Sequence, residues 1–273
     1  MNAASRLESM RFGTGGLGGS ICDEYINPRY DELPECAGPL VPGGNVWVTL
    51  FDRAAGVLGG TAFGYRAASW IRGELEYYYR ESPYDQTSLI MRPSGEASER
   101  TRSELARARE HVYSLTSHNL FGNIYFDFDS GSRFTPYLGL GVGVSSTDLD
   151  NGRVLTRTLD PAALTNVPDH LPNAEEIRRI LAGTTTMVMT TETDTMAAYQ
   201  LLFGTDLALS EPVSLGFKGR WVWHGTFRGS GVLDQLRSHP PNYRRDGSIP
   251  LRYKRTIEGI QIVGVTVELK YEI

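Results

Sequence analysis

The strongest constraint in this chain is an apolar–polar alternation with period two, repeated along most of its length. It is clearest at the C-terminus, where Val263, Val265, Val267, Leu269, Tyr271 and Ile273 alternate with Gly264, Thr266, Glu268, Lys270 and Glu272. A two-residue period places successive side chains on opposite faces of a strand, so the segment reads as β-structure and not helix. The same pattern marks residues 213–226 (Val213, Leu215, Phe217, Trp221, Trp223) and 197–210 (Tyr199, Leu201, Phe203, Leu207, Leu209). It returns in 134–146 (Leu138, Leu140, Val142, Val144) and 114–128 (Leu120, Ile124, Phe126, Phe128). It also marks 70–81 (Ile71, Leu75, Tyr77, Tyr79) and 46–66 (Val57, Phe63, Tyr65).

These segments make seven strands. An even, closed all-β sheet needs an eighth, and residues 5–18 are the remaining candidate, with Met10, Phe12 and Thr14 alternating weakly. The connections sort by length. Ala67–Ser69, Asp129–Arg133 and Glu211–Pro212 are tight turns of suitable composition, whereas about 19–45, 82–113, 147–196 and 227–258 are long. Strict alternation of short and long connections fits an eight-stranded antiparallel up-and-down transmembrane barrel, with short periplasmic turns and four long extracellular loops. The whole chain, 1–273, then forms one domain. Two loops carry helical patterns, Ser98–Val112 and Ala174–Ala182.

The two strand faces differ in kind. One is apolar for about nine to eleven residues, enough for a tilted strand to cross a bilayer, with aromatics near the strand ends: Trp70, Tyr77, Tyr79, Phe126, Phe128, Trp221, Trp223 and Tyr271. The other carries Arg11, Arg66, Arg72, Arg80, Lys218, Arg220 and Lys270 against Glu74, Glu76, Asp127, Asp206, Glu268 and Glu272. In a closed barrel this face lines a narrow lumen, where charges must pair because an unpartnered buried ion costs several kcal/mol. The expectation is a lumen plugged by an ionic network, with glycines leaving room for the long side chains.

Mean hydropathy is −0.28 and hydrophobic residues make up 40% of the chain. No window approaches the roughly 18 apolar residues of a spanning helix, which does not exclude a barrel. The net charge of −5 offers no basic field for nucleic acid. Cys22 and Cys36 are the two cysteines; the spacing suits a disulfide, although two free thiols fit it too. Residues 1–20 contain no apolar run resembling a signal peptide.

The run SHNLFGNIYFDFDSGSRFTPYLGLGVGVS (117–145) resembles the central segment of small outer-membrane β-barrel surface proteins of Gram-negative bacteria, the opacity-protein and OmpA transmembrane-domain type. GTAFGYRAASWIRGELEYYYR (60–80) is similar to that family's second and third strands. The resemblance covers 56–147 and 197–273. It implies an integral outer-membrane structural or surface-interaction protein, antigen- or adhesin-like and mostly without catalysis or cofactor. Its partners would be outer-membrane lipids, lipopolysaccharide and a host or surface ligand at the loops. Val267, Leu269, Tyr271 and Ile273 resemble the C-terminal signal read by the barrel-assembly machinery; Ile273 departs from the family's usual Phe.

Some small barrels modify lipids, so Ser117, His118 and Asp127 form a weighed catalytic alternative, which only spatial contact could establish. A soluble barrel binding a small apolar ligand is another. His170 and His239 have no partner at metal-ligand spacing. The last loop is basic, and Arg244, Arg245, Arg252, Lys254 and Arg255 are candidates for docking on the acidic loops or on polyanion phosphates.

Overall fold

The computed structural model describes residues 3–7, 10–15, 22–36, 45–90, 103–165, 167–232, 238–239 and 252–272. The chain is all-β and antiparallel. Twelve strands are seen among the described residues: β1 (Ala3–Leu7), β2 (Met10–Gly15), β3 (Asn45–Phe51), β4 (Ala54–Ala68), β5 (Ile71–Leu89), β6 (Leu105–Asp127), β7 (Phe134–Arg157), β8 (Thr185–Ser210), β9 (Val213–His224), β10 (Phe227–Val232), β11 (Arg252–Glu258) and β12 (Gln261–Tyr271). The single α-helix described, α1, spans Ala174–Leu181.

The larger sheet has the order β1-β12-β9-β8-β7-β6-β5-β4, and β1 pairs with both β12 and β4, returning the sheet on itself as a barrel. The seam is short: Ala4 lies opposite Val265 on one side and Val57 on the other. A second sheet has the order β10-β11-β2-β3. That order repeats β9-β12-β1-β4, the barrel strands that precede or follow β10, β11, β2 and β3 in the chain. Three of the junctions are short breaks, at Asp52–Arg53, Gly225–Thr226 and Gly259–Ile260; residues 8–9, between β1 and β2, lie outside the described residues. The molecule therefore has two tiers. β5 to β8 run continuously through both, and the other four strands are interrupted between them.

The breaks have a common geometry. Phe51 and Ala54, Val222 and Phe227, and Ile257 and Ile260 are all buried, at odd spacings. Odd spacing reverses strand phase, so each break adds a residue and lets both tiers bury their own alternate set. Gly259 takes φ +76°, a conformation open to glycine and costly for most L-residues.

Several sequence expectations change accordingly. The 5–18 strand divides between the two sheets, as does 46–66. Much of 82–113 and 147–196 is not loop, because β5 runs on to Leu89, β6 starts at Leu105, β7 reaches Arg157 and β8 starts at Thr185. The Ser98–Val112 helix expectation fails from Leu105 onward, where the segment is β6, with Ala108, Glu110 and Val112 buried in alternation. A buried glutamate within a charged stretch conceals the strand period. Residues 98–102 lie outside the described residues.

Tight turns close one end. Asp129 accepts from the Gly131 N–H at 2.8 Å, and Gly131 takes φ +63°. At the other end, Cys22–Cys36 is a disulfide. The segment it staples packs Ile26 against Leu164, Val167, Leu171, Ile177 and Leu181, a small separate core. Asn173 donates to Asn27 across this cap at 2.9 Å.

Candidate functional site

The outer surface of the lower tier is apolar and exposed. β6 presents Leu120, Ile124 and Phe126; β7 presents Leu138, Leu140, Val142 and Val144; β8, β9 and β12 present Tyr199, Phe203, Phe217, Trp221, Val263, Val265 and Leu269. Leu140 is 61% exposed and Val142 62%. Soluble folds bury such residues, and a contiguous exposed band of them marks an interaction surface. From Phe134 to Val144 is about 33 Å along the strand at about 3.3 Å per residue, or about 25 Å of height at a barrel tilt of about 40°.

The band ends sharply. Along β7 the outward series changes from Val144 to Ser146, Asp148 and Asp150, and along β8 from Tyr199 to Ala197, Thr195, Thr193 and Thr191. Thr191 and Thr193 donate to Asp150 and Asp148, and Ser114 to Asp150 at 2.9 Å. Aromatic residues sit at this upper boundary. Tyr77 Oη and His118 Nδ1 are 2.8 Å apart, and Trp221 stacks on Trp223 with centroids 4.7 Å apart. At the lower end Trp70 stacks on Phe126 at 6.2 Å.

Inside, the lumen is layered. In the lowest layer Arg66 bridges Asp127 (2.9 Å) and Glu272 (3.1 Å), while Arg72 bridges Asp127 (3.3 Å) and Asp206 (2.9 Å). Lys270 lies 2.7 Å from Asp206 and 3.7 Å from Glu268. The Arg72 guanidinium also lies over the Tyr125 and Tyr137 rings, at 4.6 and 4.7 Å. In the next layer Lys218 contacts Glu74 (3.2 Å), Glu76 (3.3 Å) and Glu268 (2.7 Å), and Arg220 contacts Glu76 at 2.7 Å. Asn123 and Gln200 complete it by donating to Glu76. Gly141 is needed here, since a Cβ would stand 2.1 Å from the Asn123 Oδ1.

Above this the lumen becomes apolar: Leu58, Phe121, Leu115, Met196, Val222 and Ile262 form one buried cluster with Tyr78, which stacks on Phe121. Arg80 stands at this level and donates to Ser82, apart from the lower carboxylates. The sequence grouped it with them.

The upper tier holds a second ionic cluster, which sequence reading missed. Glu110 of β6 lies 2.9 Å from Arg153 of β7 and 2.7 Å from Arg255 of β11; Arg255 also lies 2.7 Å from Glu192 of β8. Thr49 donates to Glu110 at 2.7 Å and Tyr253 to Glu192 at 2.9 Å. Burial pushes the Glu110 carboxyl up, but Arg153 and Arg255 outweigh it and hold the group below its ordinary range. Burial and the Glu192 charge raise Tyr253. The alternation Ala108–Glu110–Val112 was the available signal, hidden by charges on both faces.

This cluster corrects one expectation: Arg255 is 1% exposed and faces inward, so it is not a surface contact for polyanions. Lys254 beside it is exposed. Arg244 and Arg245 lie outside the described residues, as do Ile273 of the C-terminal signal and the side chain of Arg252. Leu269 and Tyr271 face outward and Val267 is half-buried.

Ser117, His118 and Asp127 do not assemble. Ser117 is buried toward the lumen, His118 is exposed beside Tyr77, and Asp127 lies on the bottom layer with Arg66 and Arg72. Among the described residues no group of three or more His, Cys, Asp or Glu could hold a metal ion.

No protein-family model matches the chain, and no curated protein matches it. The solved structures it is similar to include three outer-membrane proteins. Neisserial surface protein A (NspA) is 12% identical over 96% of this chain and 97% of its own, with TM-score 0.35. The outer membrane protein OprG from Pseudomonas aeruginosa is 11% identical over 100% and 96%, with TM-score 0.42. The outer membrane protease OmpT from Escherichia coli is 10% identical over 100% and 96%, with TM-score 0.36.

Proposed function

We propose that this chain is an integral outer-membrane protein, an eight-stranded barrel whose lower tier spans the bilayer and whose upper tier stands outside the cell. The observation that carries this reading is the exposed apolar band of about 25 Å, bounded by aromatics, around a charged interior. The three tight turns then face the periplasm.

The work of such a protein is done at its surface. Paired charges in the lower lumen and the apolar cluster above them support a plugged barrel and not a pore. What it offers outward is a β-walled projection topped by the disulfide-stapled cap. We read it as a structural or surface-interaction protein, antigen- or adhesin-like, contacting lipopolysaccharide at its rim and other surfaces through its cap. Lys254 is exposed and, with Arg244, Arg245 and Arg252, makes up the proposed polyanion-binding set once the buried Arg255 is removed from it.

Heat-modifiable migration tests the membrane assignment. Extracted in detergent, the folded protein should run faster on an SDS gel unheated than boiled. Purification as a soluble monomer without detergent would overturn it.

A further inference from the structure

The upper tier consists of two four-stranded sheets that face each other but are not laddered together. One is the upper part of β5 to β8. The other is β10-β11-β2-β3, whose edge strands β10 and β3 lie beside β8 and β5. Among the described residues, the bonds across these two seams involve side chains. The Arg228 N–H donates to Asp194 Oδ2 at 2.7 Å, closing one seam. At the other, the Asp52 N–H donates to Gln86 Oε1 (3.0 Å), Gln86 Nε2 to the Arg53 carbonyl (3.1 Å) and Tyr84 Oη to the Asp52 carbonyl (2.6 Å).

Between the sheets, the ionic cluster joins one to the other. Arg255 and Tyr253 from the smaller sheet reach Glu110 and Glu192 on the wall, and Thr49 reaches Glu110. Three strands of the smaller sheet, β3, β10 and β11, meet the barrel across a described break, and these breaks fall at one level. At one of them Gly259 holds a positive φ.

We propose that β10-β11-β2-β3 is a flap hinged at these three breaks, and that Arg255 is its latch. Swinging outward would cost the Arg228–Asp194 bond, the Arg255, Tyr253 and Thr49 contacts, the Ser238–Thr185 bonds and the packing of Ile26 on the β7–β8 connection, while leaving every main-chain ladder within each sheet intact. Elements that can open without breaking a ladder sit at the low-stability end of a fold. Opening would uncover Phe51, Phe227 and Ile257, all 2% exposed or less, from the side of the molecule. Above the flap Ser238 is tied to Thr185 by two hydrogen bonds, one donated in each direction, so the movement pivots from below and is restrained at the top.

Hydrogen exchange on the full chain, folded in detergent micelles, tests this. In the wild-type protein the amide of Arg228, which reaches across the seam to Asp194, should exchange at least about tenfold faster than the laddered amides of residues 110–115, 149–153 and 188–192 at the same height. Arg255→Met should accelerate it by about a further tenfold and leave the laddered amides within about twofold. Tyr253→Phe, which removes one hydrogen bond and keeps the ring, should accelerate it by about fivefold. If Arg228 exchanges at the rate of the wall in the wild type, or if a variant loosens both equally, the flap does not exist. Should Arg255→Met fail to fold, the wild-type comparison and Tyr253→Phe decide the matter.

Discussion

The lower and upper tiers use similar interiors behind different exteriors. Below, Glu76 is held by Lys218 and Arg220; above, Glu110 is held by Arg153 and Arg255. Outside, the lower tier offers Leu138, Leu140 and Val142, while the same strand higher up offers Asp148 and Asp150. A paired ionic core is therefore compatible with either solvent, and the outward face alone distinguishes the two. The tiers also differ in continuity, since the eight-strand ladder of the lower one gives way above to two sheets joined by side chains.

The largest effect should come from the lower core. Glu76→Ala leaves Lys218 and Arg220 short of a shared partner and should destabilise the barrel by about 3–5 kcal/mol. The midpoint of the heat-modifiability transition reads this. Next is a pair of outward substitutions that divides the tiers directly. Leu140→Arg should cost about 2–4 kcal/mol in a bilayer, whereas Thr193→Arg, higher on the neighbouring strand, should stay within about 0.5 kcal/mol. Equal costs at the two positions would erase the distinction between a lipid-facing and a water-facing tier.

A smaller and more local change should follow reduction of Cys22–Cys36, which closes a loop of 14 residues' separation. Its loss should cost about 2–4 kcal/mol, confined to the cap. Protease sites within 22–36 should open while the folded barrel's gel migration stays unchanged.

The mildest prediction concerns pH. The folded Glu110 carboxyl lies below its ordinary value, so its contribution is fully present above the unfolded value of about 4.3. It fades as pH falls through the lower folded value. The upper tier should thus lose exchange protection in mild acid, with its onset below about pH 4.3; protection that rises on acidification would contradict the assignment.

The parts legible in the sequence are those where one face is apolar. Leu138–Val144 and Val263–Leu269 announce their strands because each inward polar residue is flanked by outward apolar ones. Strand β7 at Ser145–Gly152 has polar residues outward and Ser145, Thr147 and Asn151 inward, so no period is visible although its ladder with β8 is unbroken. The sequence misplaces Arg255 for a related reason, and it does not show that Arg80 stands in the lumen above the lower carboxylates. Alternation gives the face on which a residue lies, but neither its height along the barrel nor the partner that meets it there.

The residues themselves determine that this chain forms antiparallel strands with an apolar and a charged face, because a two-residue period admits no other regular structure. They also place the tight turns and the C-terminal strand. Tertiary structure decides which strands break and resume in a second sheet, and which charges meet. Those outcomes depend on register between strands far apart in sequence, such as Glu110 of β6 against Arg255 of β11. Pairing across that distance is a property of the closed sheet, and no local pattern encodes it.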